Sequence, residues 1–165
     1  MANDIRRWIR LFEAVDRLSG SKVVGEDGEP LVVFHGTNAQ FKRFEPKFSI
    51  PMAGIGFWFA GSRRVAGMVA MRKGDHVRII CANLDIKNPL VLSEPGVDGL
   101  LCLVRAVSQN GDVTHQTVRE YRDSIIEQGY DGIVLKDVRA DGGITDNYIA
   151  FDSDQIKIID DVSES

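Results

Sequence analysis

The chain is poor in the residues that staple, ligate or span. Two cysteines, Cys81 and Cys102, occur in 165 residues. They are too few for a disulfide framework and do not form a zinc pattern. Each sits in an apolar stretch and reads as a buried thiol in a reducing compartment. The three histidines, His35, His76 and His115, have unrelated surroundings, with no HExxH or CxxC beside them. No metal site is expected. A surplus of positive charge is missing too: 20 Lys and Arg against 24 Asp and Glu leave a net charge of −4. That argues against a general binder of phosphate backbones. No apolar run approaches the roughly 20 residues of a membrane span. The opening Asn3, Asp4, Arg6 and Arg7 interrupt the apolar core that a signal peptide needs. A cytoplasmic protein without a membrane partner is the expectation. Catalytic fingerprints are also scarce. Gly54-Ile55-Gly56 does not open a helix as a dinucleotide fingerprint would, and the P-loop lysine is absent. Neither Ser62 nor Ser124 stands in a GxSxG elbow.

What remains is ordinary for a soluble domain: 44% hydrophobic and 27% charged residues. The length suits about one domain. Such a chain buries roughly 68–70% of its unfolded surface without staples. Residues 4–18 predict an amphipathic helix, with Ile5, Trp8, Ile9, Phe12, Val15 and Leu18 on one face. Either it packs on the domain or its basic face meets a partner. It is read as an N-terminal element, residues 1–20, preceding a domain of residues 21–165.

Asp27-Gly28 signals a hairpin turn that leads into Leu31-Val32-Val33-Phe34. Residues 38–56 read as a long irregular loop anchored by Phe41, Phe44 and Phe48. Phe57-Trp58-Phe59-Ala60 is a short strand, and Ser62 caps a helix to about Arg72. Residues 76–86 alternate as a strand with an irregularity near Ala82-Asn83. Leu90-Val91-Leu92 is a further β run. Residues 97–108 suit a helix, and Thr114 or Thr117 caps another that Gly129 ends. Ile133-Val134-Leu135, Tyr148 to Phe151 and Ile156 to Ile159 close the chain as strands. Residues 139–146 between them read as a flexible loop. Strands cluster at the end and βαβ alternation is irregular, which predicts an α+β fold with largely antiparallel pairing.

His35 ends an apolar strand and precedes a glycine. By position it is either a core histidine or a ligand contact. Three separated pieces say more together: LVVFHGT at 31–37, GFWFAGS at 56–62 and DNYIAFDSDQIKII at 146–159. With these the sequence resembles the diphtheria-toxin-like and poly-ADP-ribose-polymerase-like ADP-ribosyltransferases. It is most similar to the small phage and bacterial type found in polyvalent proteins. SKVV, DGEPLVVFHGT, GYDGIVLKD and NYIAFDSDQIK carry that likeness over roughly residues 21–160.

The resemblance implies two packed antiparallel sheets with flanking helices and NAD in the cleft between them. NAD is then substrate and no metal is needed. His35 would hydrogen-bond a ribose hydroxyl. Gly36 would offer backbone groups to the nicotinamide amide. Trp58, standing where the family has a tyrosine, would stack on the nicotinamide ring; core packing is the plainer alternative. Ser62 would reach the same amide, and Thr37, Gly56 and Phe59 would line the site. Arg63 and Arg64 either face the pyrophosphate or are solvated. Arg139 and Asp141 are read either as acceptor contacts or as a solvated connection.

The third motif departs from the family. Asn147 stands where the family has glutamate. An asparagine can hydrogen-bond but brings no charge and cannot act as a base. Three readings follow: a mono-ADP-ribosyltransferase whose acceptor supplies the carboxylate, a shift that lets Asp146 substitute, or a binding module. The expected acceptor is a macromolecule, a protein first and nucleic acid second, in a bacterial host. Thr145 counts against the arginine-modifying subclass.

Overall fold

The computed structural model describes residues 18–46, 50–93, 97–106 and 108–164. The predicted N-terminal helix falls almost wholly outside these residues, as does Phe48. Seven strands form one hydrogen-bonded sheet: β1 (Val33–Thr37), β2 (Phe57–Ala60), β3 (Val77–Leu84), β4 (Pro89–Leu92), β5 (Gly132–Ala140), β6 (Gly143–Ala150) and β7 (Ile156–Glu164). Their order is β4-β5-β6-β2-β1-β3-β7. Among the described residues the sheet is accompanied by the α-helices α1 (Arg63–Met71), α2 (Val97–Ala106) and α3 (His115–Glu127), with short 3-10 turns at Pro51–Ile55 and Ser153–Gln155. The architecture is α+β, as the sequence predicts.

The two expected sheets are joined into one, but the joint is narrow. β1 and β2 share a single register pair, Phe34 opposite Ala60. On its other edge β1 pairs with β3 through five, from Val33–Ala82 to Thr37–Arg78. β2 in turn pairs with β6 over its whole length, from Phe57–Ala150 to Ala60–Asn147. Two half-sheets therefore meet at one rung. Beyond it, His35–Thr37 and Phe57–Phe59 face each other without strand pairing.

Two further differences have physical causes. β4 and β5 pair in parallel, because the chain between them travels through α2 and α3. A long crossover permits that direction where a tight turn does not. Residues 139–146 are not a flexible loop but the tip of a hairpin. Val138, Arg139 and Ala140 pair with Thr145, Ile144 and Gly143. The turn is Asp141-Gly142, with Gly142 at φ +100°. Its charge and glycine content disguise a two-residue hairpin turn.

Side-chain alternation divides the core between two faces. Phe59, Ile80, Val134, Tyr148 and Ala150 bury one face with Phe44 and Val33. Ile133, Leu135 and Ile149 bury the other against Val118, Tyr121 and Ile125 of α3 and Leu100 and Val104 of α2. α1 covers the same second face further along, through Val65 and Ala66 against Ala60 and Ile79. Both predicted caps form: Ser62 Oγ accepts from Val65 N, and Thr114 Oγ1 accepts from Thr117 N while Thr117 reciprocates.

Candidate functional site

The sequence-singled residues lie along the unpaired stretch between β1 and β2. His35, Gly36 and Thr37 form one lip, and Gly56, Phe57, Trp58 and Phe59 form the other. Asn147 is on β6, next to β2, and opposite Ala60 in the ladder.

His35 bridges the lips. Its ring lies against Phe44 and Phe59, with centroids 5.1 and 5.6 Å away. Nδ1 sits 2.7 Å from the Trp58 carbonyl oxygen. A carbonyl only accepts, so Nδ1 carries the proton and Nε2 keeps its lone pair. Burial drives the imidazole pKa down to about 4, against the smaller raising effect of that hydrogen bond; Lys73 and Arg78 lower it further. At neutral pH the ring is uncharged, and Nε2 is an acceptor.

The other lip places its residues differently. Gly56 approaches β6 so closely that a Cβ would lie 2.8 Å from Ile149 Cγ2, besides striking the Ala150 carbonyl. Trp58 is half-buried and packs in the cluster beneath α3 with Ile55, Met52 and Ile149. Phe59 is buried on the His35 face. His35 and Trp58 therefore sit on adjacent strands but project their rings to opposite faces. Alternation puts Asn147 on Ile149's face, the Trp58 side.

Gly36 is held by packing. A Cβ there would overlap the Ala66 carbonyl of α1 and come within 3.1 Å of Ala70 N. Its carbonyl accepts from Lys73 Nζ at 3.0 Å. Thr37 is buried, and its Oγ1 accepts from Ala39 N. Arg78 fastens the loop that follows. It donates to the carbonyls of Ala39 and Phe41, pairs with Asp161 and lies 4.9 Å over the Phe41 ring. Phe41 and Phe44 thus anchor this loop, as the sequence predicts.

The third motif is split in its chemistry. Asn147 Oδ1 is buried and has no hydrogen-bond partner among the described residues. Asp146, its neighbour, is spent: its carboxylate pairs with Lys136 and accepts from Asp137 N. The bulge that brings these groups together is on β5, between Leu135 and Val138, where Asp137 adopts φ +51°. It holds Asp146 on the face opposite Asn147 and does not turn it toward that position.

Of the remaining candidates, Arg63 and Arg64 are exposed at the start of α1. Asp141 is exposed and paired with Arg72 of α1's C-terminal cap, and Arg139 is exposed on the hairpin. Sequence reasoning missed Lys73, whose contact with Gly36 spans 37 residues. It also missed Gln155, which organises the corner after β6. Among the described residues, no cluster of His, Cys, Asp and Glu could hold a metal. None of their helices is long and apolar enough to cross a membrane.

Three comparisons bear on this geometry. Residues 25–164 match the family described as ADP-ribosyltransferase in polyvalent proteins. No curated protein matches the chain. Among solved structures it is similar to one titled as the M. tuberculosis MbcT–MbcA toxin–antitoxin complex. That match has 12% identity and a TM-score of 0.46, and covers 82% of this chain and 85% of that one. It is also similar to one titled as an anti-CRISPR protein, with 13% identity and a TM-score of 0.36, covering 78% and 94%. The family match spans most of the sequence, and the chain belongs to the ADP-ribosyltransferases of polyvalent proteins.

Proposed function

We propose that this protein transfers a single ADP-ribose from NAD to a macromolecular acceptor and releases nicotinamide, with the dinucleotide seated in the opening between β1 and β2. The observation that carries this reading is His35. An uncharged imidazole is fixed by its Nδ1–H to the Trp58 carbonyl, so its Nε2 is free to accept a hydrogen bond from a ribose hydroxyl. The backbone of Gly36 takes the nicotinamide amide, and the Ser62 hydroxyl assists. Thr37, Gly56 and Phe59 shape the walls. Trp58 offers a flat ring to the nicotinamide, and Asn147 accepts from the ribose through its unpartnered oxygen.

In the transfer, the ribose C1′–N bond breaks and nicotinamide leaves as a neutral base with the bonding pair. An acceptor oxygen then closes on C1′. The cationic ribose that develops needs negative charge nearby. Asn147 has none, and Asp146 is bound to Lys136. An aspartate or glutamate of the acceptor protein supplies both charge and nucleophile, giving an ester without proton loss. This limits the product to one ADP-ribose per site. Family membership supports action inside a bacterial cell, on host machinery.

The uncharged third position also favours a second reading, a module that binds NAD without cleaving it. Nicotinamide release from NAD, measured with and without bacterial lysate beside His35→Ala, separates the two. Release that requires lysate and falls at least about a hundredfold in the variant supports the transferase. Release without lysate indicates hydrolysis and removes the acceptor from the reaction. NAD binding with no release in either case supports the module.

A further inference from the structure

We propose that Lys73 is the residue that anchors the anionic diphosphate bridge of the dinucleotide, leaving the Gly36 carbonyl when substrate arrives. This rests on the reading of the β1–β2 opening as the NAD site. The argument begins with charge. The ammonium of Lys73 has three donors and one acceptor, Gly36 O at 3.0 Å. Among the described residues no carboxylate pairs with it. Two neighbouring cations are committed: Arg78 to Asp161 and two carbonyls, and Arg72 to Asp141. Lys73 is thus a cation held by a neutral oxygen, beside an uncharged histidine, at the lip of the opening. Lys73 is exposed overall, and the partial desolvation of its ammonium lowers its pKa.

The side chain is not needed to hold its own backbone. Asn38 Nδ2 donates to the Lys73 carbonyl, and Gly74 at φ +148° leaves room for that amide. The corner between α1 and β3 is thereby fixed through the main chain, and the four-carbon stem is free to swing. Two consequences follow from one movement. Nζ reaches an anion, and the Gly36 carbonyl is released for the nicotinamide amide. Lys73 is therefore a positioning residue that couples the two ends of the substrate.

The test is titration calorimetry of NAD, ADP-ribose and nicotinamide with the wild type, Lys73→Met, Lys73→Gln and Lys73→Arg, at low and high salt. Removing the charge should weaken NAD and ADP-ribose about tenfold or more and flatten their salt dependence. Nicotinamide, which lacks phosphate, should bind the Met and Gln variants at least as well as the wild type. Arginine should retain most of the affinity. Unchanged NAD affinity in the Met and Gln variants would overturn the proposal. So would an equal loss for nicotinamide, since Lys73 would then only brace Gly36. Failure of the wild type to bind either NAD or ADP-ribose would instead sink the NAD reading itself, and this inference with it.

Discussion

Two side-chain amides, eight residues apart in the same motif, are treated in opposite ways. Gln155 is saturated. Its Oε1 accepts from Phe151 N and Asp152 N at 2.9 Å each, and its Nε2 donates to the carbonyls of Asp85 and Asp131. Asp131 extends the corner by accepting from Lys87 N and Asn88 N. This one amide ties the β6–β7 turn to the end of β3 and the start of β5. Asn147 keeps a buried oxygen with no hydrogen-bond partner among the described residues. A buried polar atom left unpaired costs about 1–3 kcal/mol, so a fold tolerates it where it serves something else. Saturation marks Gln155 as a structural amide, and the unpaired oxygen of Asn147 is what the proposed ribose contact would satisfy.

The sharpest way to strain that comparison is to put charge at the vacant position. Asn147→Glu should raise nicotinamide release without acceptor by about 10²-fold, because a carboxylate then faces the developing cation. It should also lower the melting temperature, since the new charge is half-buried without a protein partner. Release assays and a thermal melt on the same preparation check both. A folded variant with unchanged release would show that position 147 does not face the reacting ribose.

The saturated amide should answer differently. Gln155→Ala deletes four hydrogen bonds and leaves two backbone donors and two carbonyls to find water. A loss of about 2 kcal/mol of stability is expected, read from urea unfolding. NAD affinity should stay within about twofold when measured well below the unfolding midpoint. Asn147→Ala should do the reverse, costing little stability and weakening NAD. Equal stability losses in the two alanine variants would break the contrast.

The legible and illegible parts of the molecule divide along the same line. Local signals were readable: the Ser62 and Thr114 caps, the FWFA strand, and the irregularity that falls between Cys81 and Ala82. Each rests on residues within a few positions of one another. What was not readable depends on register and on distant partners. The β5–β6 hairpin carries the Asp-Gly signal recognised at Asp27-Gly28, but its polar flanking residues masked it. Nothing local says that β1 meets β2 through one rung, although the three motifs of the family all fall beside that seam. Lys73 and Gln155 carry no local signal of their roles, because Gly36, Asp85 and Asp131 lie 37, 70 and 24 residues away from them.

The smallest effect concerns His35, whose ring bridges the seam to the Trp58 carbonyl. Its folded pKa is about 4 and its unfolded value about 6.5. The unfolded chain therefore binds more protons between these values, and falling pH favours unfolding. The stabilisation is complete above the unfolded pKa and is lost as the pH drops toward the folded one. Between pH 7 and pH 5 the expected loss is roughly 1–2 kcal/mol from this group. His35→Gln, which preserves a donor to Trp58 O, should reduce the slope of stability against pH over that interval. Activity should be flat from pH 8 down to about pH 5, since the imidazole stays neutral throughout. A wild type that loses activity with a midpoint near 6.5 would mean that the ring is protonated in solution. Its Nε2 would then be a donor, and the opening would present the ribose with a different partner from the acceptor that the Trp58 contact requires.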